Sequence, residues 1–291
     1  MNPSGSGLSN TRAEVVHNVL SLRAEADGRS EQVSQAIMGD PLELLEERGE
    51  WSRVRCVDGY EAWALTCHVR RGTGTSGESD RADGLSLVRV GAPSILFVDM
   101  RHEPVTRLVF GTPVKIATNR IDDLGLVETV LPGGRRGRIP LPAVTDAFGT
   151  GSDALITVAQ MFVGTPYLWG GTTPFGFDCS GLVQRTYSVF GVQLPRDAYQ
   201  QAACPLGARL AEGEPLRAGD LVFFLGAEDP RGRGITHVGM MVDAKRMIHA
   251  SGRSGVVVEP LSSESLRASY TYRGAWRYVE PPTDRQAGFP H

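Results

Sequence analysis

Tyr167-Leu168-Trp169-Gly170-Gly171-Thr172-Thr173-Pro174-Phe175-Gly176 leads into Phe177-Asp178-Cys179-Ser180-Gly181. The first ten residues are too rich in Gly and Pro to continue a helix or a central strand. Behind Cys179, the apolar residues Leu182, Val183, Tyr187 and Phe190 fall at the spacing of one helical face, and Gly191 stops the run. Cys179 therefore opens a helix. The unpaired N–H groups and dipole of a helix start favour a thiolate, so the stretch predicts a nucleophile and calls for a base.

Upstream of this loop, Ser152 is placed to cap a helix carrying Leu155, Ile156, Ala159, Phe162 and Val163 on one face. Downstream, a short helix is expected over residues 197–203. Strand-like runs follow at 221–225, 236–242, 246–249, 256–259 and 270–279. Helices followed by a strand series describe an α+β domain.

Of the six histidines, His17, His68, His102 and His291 lie outside this domain or at the terminus, which leaves His237 and His249. They sit in consecutive strands joined by Asp243-Ala244-Lys245. A hairpin with an odd connection centred on Ala244 puts His249 opposite Gly239 and both histidines on one face, whereas an even connection separates them. The odd connection is the expectation, with His237 as base toward Cys179 and His249 bonded to its far ring nitrogen.

The residues before this domain read differently. A weak helix is expected over residues 8–21. From Leu22 to Arg71 come short alternating runs, among them 41–46, 51–56 and 62–65, with Gly49 and Asp58-Gly59 at turns. Such a series implies a small antiparallel barrel. After a Gly-rich polar stretch the pattern returns: Glu31-x-Val33-Ser34 matches Glu103-x-Val105-Thr106, and Gly39-Asp40-Pro41 matches Gly111-Thr112-Pro113, each 72 positions on. A constant offset argues for a duplicated module. Its second copy has strands at 114–117, 126–131 and 137–139.

Composition excludes several classes of function. The 291 residues are 41% apolar and 22% charged, with a net charge of -3, which leaves no basic footprint for nucleic acid or an anionic membrane. No apolar run approaches the roughly 18 to 20 residues that cross a bilayer. Residues 1–7 have neither a basic nor an apolar signal region. Cys56, Cys67, Cys179 and Cys204 form no Cys-x-x-Cys pair or zinc spacing. A cytoplasmic location with free thiols is therefore expected, with an extracellular or periplasmic one as runner-up.

The ordered motifs also have a family likeness. Pro166-Tyr167-Leu168-Trp169-Gly170-Gly171, Phe177 to Val183, Leu194-Pro195-Arg196-Asp197, Gly219 to Phe224, His237-Val238-Gly239 and Ile248-His249-Ala250-Ser251 closely resemble the NlpC family of cell-wall cysteine endopeptidases. The resemblance covers residues 150–280. It implies a papain-like fold with a Cys-His-polar triad, matched by Cys179, His237 and His249. It also implies hydrolysis of the γ-D-glutamyl to diamino acid bond of peptidoglycan stem peptides.

The upstream repeat resembles bacterial SH3-like barrels, which in one branch of that family precede the catalytic domain as a pair. That branch takes peptides with a free N-terminal L-Ala. The resemblance then implies that Asp178, Ser180 and Tyr60 hold the ammonium, with Glu31 as a further candidate. Tyr167 is expected near the thiolate, its hydroxyl helping the Cys179 N–H to stabilise an oxyanion. Arg196 is expected to meet a substrate carboxylate or to form a structural ion pair, and Trp169 to pack.

The expected architecture is thus a papain-like α+β catalytic domain preceded by two small all-β SH3-like barrels. Residues 1–72 hold the first barrel, 73–84 a linker, 85–145 the second barrel, 150–280 the peptidase and 281–291 a tail. The expected partner is a peptidoglycan-derived peptide, L-Ala-γ-D-Glu-diamino acid, in muropeptide recycling. No metal, organic cofactor, nucleic acid, membrane or obligate protein partner is implied. The alternatives are an acyl transferase or amidase on another γ-glutamyl or lipid amide, and a wall-binding protein with a vestigial catalytic domain.

Overall fold

Runs that alternate inward and outward side chains build the first half of the chain. The computed structural model describes residues 11–72, 84–229 and 231–278. The chain divides into two units, 1–146 and 147–291. The first unit contains two antiparallel sheets.

The first sheet comprises β1 (Thr11–Val15), β2 (Val19–Arg23), β3 (Gln32–Ile37), β4 (Pro41–Arg48), β5 (Trp51–Cys56), β6 (Glu61–Leu65) and β7 (Val69–Arg71), in the order β3-β2-β6-β5-β4-β1-β7. The second comprises β8 (Ser86–Val90), β9 (Ser94–Val98), β10 (Pro104–Val109), β11 (Pro113–Ile121), β12 (Leu126–Val130), β13 (Arg136–Pro140) and β14 (Val144–Thr145). Its order, β10-β9-β13-β12-β11-β8-β14, repeats the first strand for strand. A repeated order of this kind is a physical counterpart of the sequence offset. Among the described residues the pairing in each sheet is an open order with two edge strands, not a closed ring.

Each sheet has its own core. Leu20, Leu22, Leu42, Leu44, Val54, Ala62 and Ala64 fill the first, and Phe97, Leu108, Val114, Ile116, Val127 and Ile139 the second. The period-two spacing of these residues is what directs them to one face.

The helix expected over residues 8–21 is not present in its described part, where β1 and β2 stand instead. Val15, Val16 and Val19 are β-branched, which suits a pleated strand better than a helix. β1 pairs with β4 and β7, contacts that no local pattern displays. The linker expected at 73–84 lies, apart from Gly84, outside the described residues, as does the tail at 281–291.

The second unit is α+β. Helix α1 (Gly151–Gln160), whose N-cap position is Thr150 and not Ser152 and carries no side-chain cap bond, leads to the short ribbon β15 (Thr172–Thr173) and β16 (Gly176–Phe177). Helix α2 (Cys179–Ser188) and the short α3 (Ala198–Ala202) follow. The remaining elements are β17 (Gly207–Arg209), β18 (Leu221–Gly226), β19 (His237–Met241), β20 (Arg246–Ser251), β21 (Gly255–Pro260), α4 (Glu264–Ser269) and β22 (Tyr270–Tyr278).

The strands form one antiparallel sheet in the order β17-β22-β18-β19-β20-β21. Helix α2 buries Leu182, Val183, Thr186 and Tyr187 and packs on β19 and β20. That packing brings the first residue of α2 to the end of the sheet where β19 begins. Among the described residues no helix is long and apolar enough to cross a membrane.

Candidate active site

Cys179 is the first residue of α2 and is 7% exposed. Asp178 is the N-cap, and its Oδ1 accepts the Gly181 N–H at 2.7 Å. Here the helix is pressed against the glycine loop. A Cβ on Gly181 would collide with the Gly171 carbonyl oxygen, so only glycine lets the loop and helix approach this closely. The Asp178 N–H in turn donates to that same carbonyl at 3.0 Å.

The sulfur of Cys179 accepts the backbone N–H groups of Val238 and Ser180. Val238 follows His237 in β19, so the strand that carries the base also touches the nucleophile. The β19–β20 register pairs Met240 with Ile248 and Met241 with Met247, which centres the connection on Ala244 as the odd turn requires. His237 Nε2 and His249 Nδ1 are 2.7 Å apart. Gly239 lies between them on the strand, where a Cβ would come within 3.3 Å of His249 Cβ and 2.8 Å of Met247 Sδ.

The chain of bonds continues beyond the two histidines. His249 Nε2 lies 2.6 Å from Glu259 Oε1, and Ser265 Oγ donates to Glu259 Oε2 at 3.1 Å. Burial acts to raise the Glu259 carboxyl, but hydrogen bonds from Ser263, His249 and Ser265 outweigh it and hold the group below its ordinary value. An ionised carboxylate only accepts, so His249 carries its proton on Nε2 and presents a lone pair at Nδ1. His237 must then carry its proton on Nε2. Its Nδ1 is left with the lone pair a general base needs.

Burial, and after it the Asp178 charge, push the Cys179 thiol up to about 12. The preference of a helix start for the thiolate is therefore outweighed in the ligand-free protein. Burial, followed by the neighbouring His249, holds His237 well below its ordinary value. The resting pair is a neutral thiol and a neutral imidazole, so the proton moves to His237 as sulfur attacks. The resulting imidazolium then protonates the departing group.

Glu259 was not singled out by the sequence. Its signal was an acid closing the run Val256-Val257-Val258, but its tie to His249 depends on a second hairpin. In that hairpin His249 pairs with Val257, and Glu259 lies two residues further on the same face. Glu259→Gln keeps the shape and admits both histidine tautomers. It should lower kcat about 10- to 100-fold with little change in KM; steady-state kinetics giving an unchanged kcat would remove Glu259 from the relay.

The other expected residues fall as follows. Tyr167 is tied to the nucleophile's approach by the bonds of Leu168 N–H to Phe177 O and Phe177 N–H to Pro166 O, at 3.0 and 3.1 Å. Burial, then the neighbouring Cys179 and Asp178, raise its phenol. Its hydroxyl thus keeps its proton and is available as a donor. Tyr270, which the sequence did not mark, stacks on His237 with ring centroids 4.3 Å apart.

Arg196 is 2% exposed and takes the structural of its two expected roles. Its Nη1 donates to Asp178 Oδ1 at 3.1 Å and to Ser180 Oγ at 2.9 Å, and its Nη2 is bonded to Asp178 Oδ2. Asp178 Oδ2 also accepts the Gly170 N–H at 2.9 Å, and Oδ1 the Ser180 hydroxyl at 3.3 Å. Five donors thus crowd a carboxylate with about four acceptor sites. Its side chain caps α2 and neutralises Arg196, and an ammonium would have to displace one of these donors.

Tyr60 sits in the β5–β6 turn, its N–H on Asp58 Oδ1 at 3.0 Å. Glu31 directly precedes β3 and is exposed. Trp169 is 60% exposed.

Both halves of the chain resemble known proteins. Residues 164–275 match the NlpC/P60 family, and residues 22–68 match the bacterial dipeptidyl-peptidase Sh3 domain. A gamma-D-glutamyl-L-lysine dipeptidyl-peptidase of Bacillus cereus is 26% identical over 271 residues, covering 84% of this chain and 75% of that protein. Its Bacillus subtilis namesake is 29% identical over 238 residues, covering 79% and 75%. The crystal structure of an NlpC/P60 family protein from Bacillus cereus superimposes with a TM-score of 0.74 at 23% identity, over 94% of this chain and 100% of that one. At that identity the superposition speaks for the fold.

Proposed function

From a chain that carries an NlpC/P60 cysteine peptidase domain behind a bacterial SH3 domain, we propose hydrolysis of the γ-D-glutamyl to L-diamino acid bond in peptidoglycan-derived peptides that begin with a free L-Ala. The observation that carries this reading is the continuous arrangement of Cys179, the β19 backbone and the His237–His249–Glu259 chain. It supplies a nucleophile, a base in the right tautomer and a fixed orientation for that base.

Attack of Cys179 on the γ-glutamyl carbonyl gives a thioester and releases the diamino acid amine, protonated by His237. Water deprotonated by His237 then cleaves the thioester. The Cys179 N–H is one of the helix-start donors that have no acceptor within the helix, and with the Tyr167 hydroxyl it faces the developing oxyanion. That two Bacillus relatives are gamma-D-glutamyl-L-lysine dipeptidyl-peptidases supports the dipeptidyl specificity. A dipeptidyl activity requires a free amine two residues from the cut; within the second unit, Asp178 and Ser180 are the proposed determinants, with the ammonium displacing one of the donors now on Asp178. Released wall peptides offer that amine, so recycling of such peptides is part of the proposal.

The test uses L-Ala-γ-D-Glu-L-Lys and its N-acetyl counterpart, with products read by mass spectrometry. The expected products are the dipeptide and free lysine from the first peptide, with the acetylated one cut at least about 100-fold more slowly because a site built around an ammonium is left with its polar groups unpaired. Equal cleavage of both would end the free-amine reading, and transfer of the dipeptide to an amine instead of water would favour an acyl transferase.

A further inference from the structure

His237 works away from solvent. The residue is 3% exposed, and burial disfavours its charged form. Yet the reaction makes that charge: the Cys179 proton passes to Nδ1 as sulfur attacks, and leaves again on the departing amine. Between those two events the imidazolium depends on whatever lies against the ring.

Among the described residues, three rings do. His249 meets His237 edge-on, with centroids 5.0 Å apart and planes at 83°, through the Nε2 bond. Phe224 is tilted against it at 6.0 Å. Tyr270 presents a face, with centroids 4.3 Å apart and planes within 16° of parallel. An aromatic face carries negative potential and attracts a cation within about 6 Å of its centroid, most strongly where water is excluded. A neutral imidazole gains little from such a face, and an imidazolium gains much more. The contact therefore strengthens as the proton arrives, which is the condition for an interaction to raise kcat and not merely tighten binding.

The segment that carries Tyr270 fixes its place. Helix α4 is six residues long; Ser265 in its first turn donates to Glu259 Oε2 at 3.1 Å, and Tyr270 directly follows its last residue. Leu266 anchors the helix in a buried cluster with Phe224, Met241 and Met247. Tyr270 then pairs with Gly226 in the β18–β22 ladder, with Phe224 flanking it at 6.1 Å between centroids. One short element thus supports both ends of the relay: the carboxylate behind His249 and a face of His237. The titratable groups around His237 are Cys179 of α2, His249 of β20 with Glu259 of β21 beyond it, and Tyr270, with Tyr167 near Cys179 and Tyr270. Burial, then Cys179 and Glu259, raise the Tyr270 phenol against the pull of Arg253, so its ring is uncharged.

We propose that Tyr270 is a positioning residue of this reaction, its ring face supporting the His237 imidazolium while the proton passes from Cys179 to the leaving amine. This inference rests on the peptidase reading above.

The test follows hydrolysis of L-Ala-γ-D-Glu-L-Lys across pH by the full chain, by Tyr270→Phe, and by protein with pentafluorophenylalanine in place of Tyr270. Tyr270→Phe keeps the face and should keep kcat within about twofold. The fluorinated ring keeps the shape but reverses the potential of its face, so kcat should fall about 10- to 30-fold while KM stays within about twofold. Lost support for the imidazolium lowers the His237 pKa, so the acid limb of kcat/KM should move down by about one pH unit.

Equal kcat and equal acid limbs in the Phe and fluorinated proteins would overturn the inference and leave Tyr270 as a cover on the ring. An acid limb that moves up would overturn it too, since the ring would then act by excluding water and not through its charge. A loss in Tyr270→Phe as large as in the fluorinated protein would assign the effect to the hydroxyl instead. In all three cases cleavage persists and the peptidase reading stands. A tripeptide left uncut by the wild-type protein would overturn that reading and the role of Tyr270 with it.

Discussion

Cys179→Ala should slow hydrolysis of a free-amine tripeptide by on the order of 10⁴-fold or more, because it removes the atom that forms the thioester. His237→Ala should cost nearly as much, and the double variant little more than either, since nucleophile and base act as one unit. Single-turnover assays with mass detection would check both, and residual activity within about tenfold of wild type in Cys179→Ala would mean that another group attacks.

The pH profile carries a second part of this expectation. Attack needs His237 unprotonated, so activity is present above its pKa and lost as pH falls through it. Burial and His249 hold that value well below the ordinary 6.5, which places the acid limb below that pH. On the other side, a thiol pushed up to about 12 exposes little thiolate near neutrality. Alkylation of Cys179 by iodoacetamide in the ligand-free protein should therefore be slow at pH 7 and rise about tenfold for each unit of pH. A fast rate, flat from pH 6 to 9, would show a preformed thiolate and contradict the neutral pair.

Arg196→Met should destabilise the second unit by about 3–5 kcal/mol. The loss is large because the substitution strands Asp178, a 7% exposed carboxylate at the start of α2, without its counter-charge. The thermal midpoint should fall by about 10 °C or more for a unit of this size. Asp178→Asn added to Arg196→Met should recover part of that loss, because it removes the stranded charge while keeping an oxygen for the Gly181 N–H. An unchanged midpoint in Arg196→Met would mean that the buried pair contributes nothing beyond a shape-matched apolar side chain.

What the sequence made legible follows from how local each signal is. The Cys179 helix could be read because Gly191 and the glycine loop bracket it, and the histidine pair because a three-residue turn fixes parity. Arg196 stayed ambiguous because its partner Asp178 lies 18 residues away, in a stretch that already had a caps-and-loop reading. Glu259 was hidden for a related reason: its bond to His249 needs the Ser251↔Gly255 turn register, on top of the first hairpin. The N-terminal strands were misread as a helix because β1 is held by β4 and β7, and by the ion pair of Arg70 with Glu14, which is 3% exposed. Local apolar spacing cannot report such distant partners.

The Asp243-Ala244-Lys245 connection has a consequence for variation in such chains. Asp243 closes the turn through the N–H groups of Lys245 and Arg246, both at 2.8 Å. Ala244 and Lys245 contribute no side chain to those bonds, so their identities are open to drift. Their number is not. One inserted or deleted residue would shift the parity of β20 against β19 and carry the His249 ring to the far side of the sheet, while every catalytic letter stayed in place. Heredity can rewrite this bend letter by letter, but a change in its length would silence the enzyme without touching its catalytic alphabet.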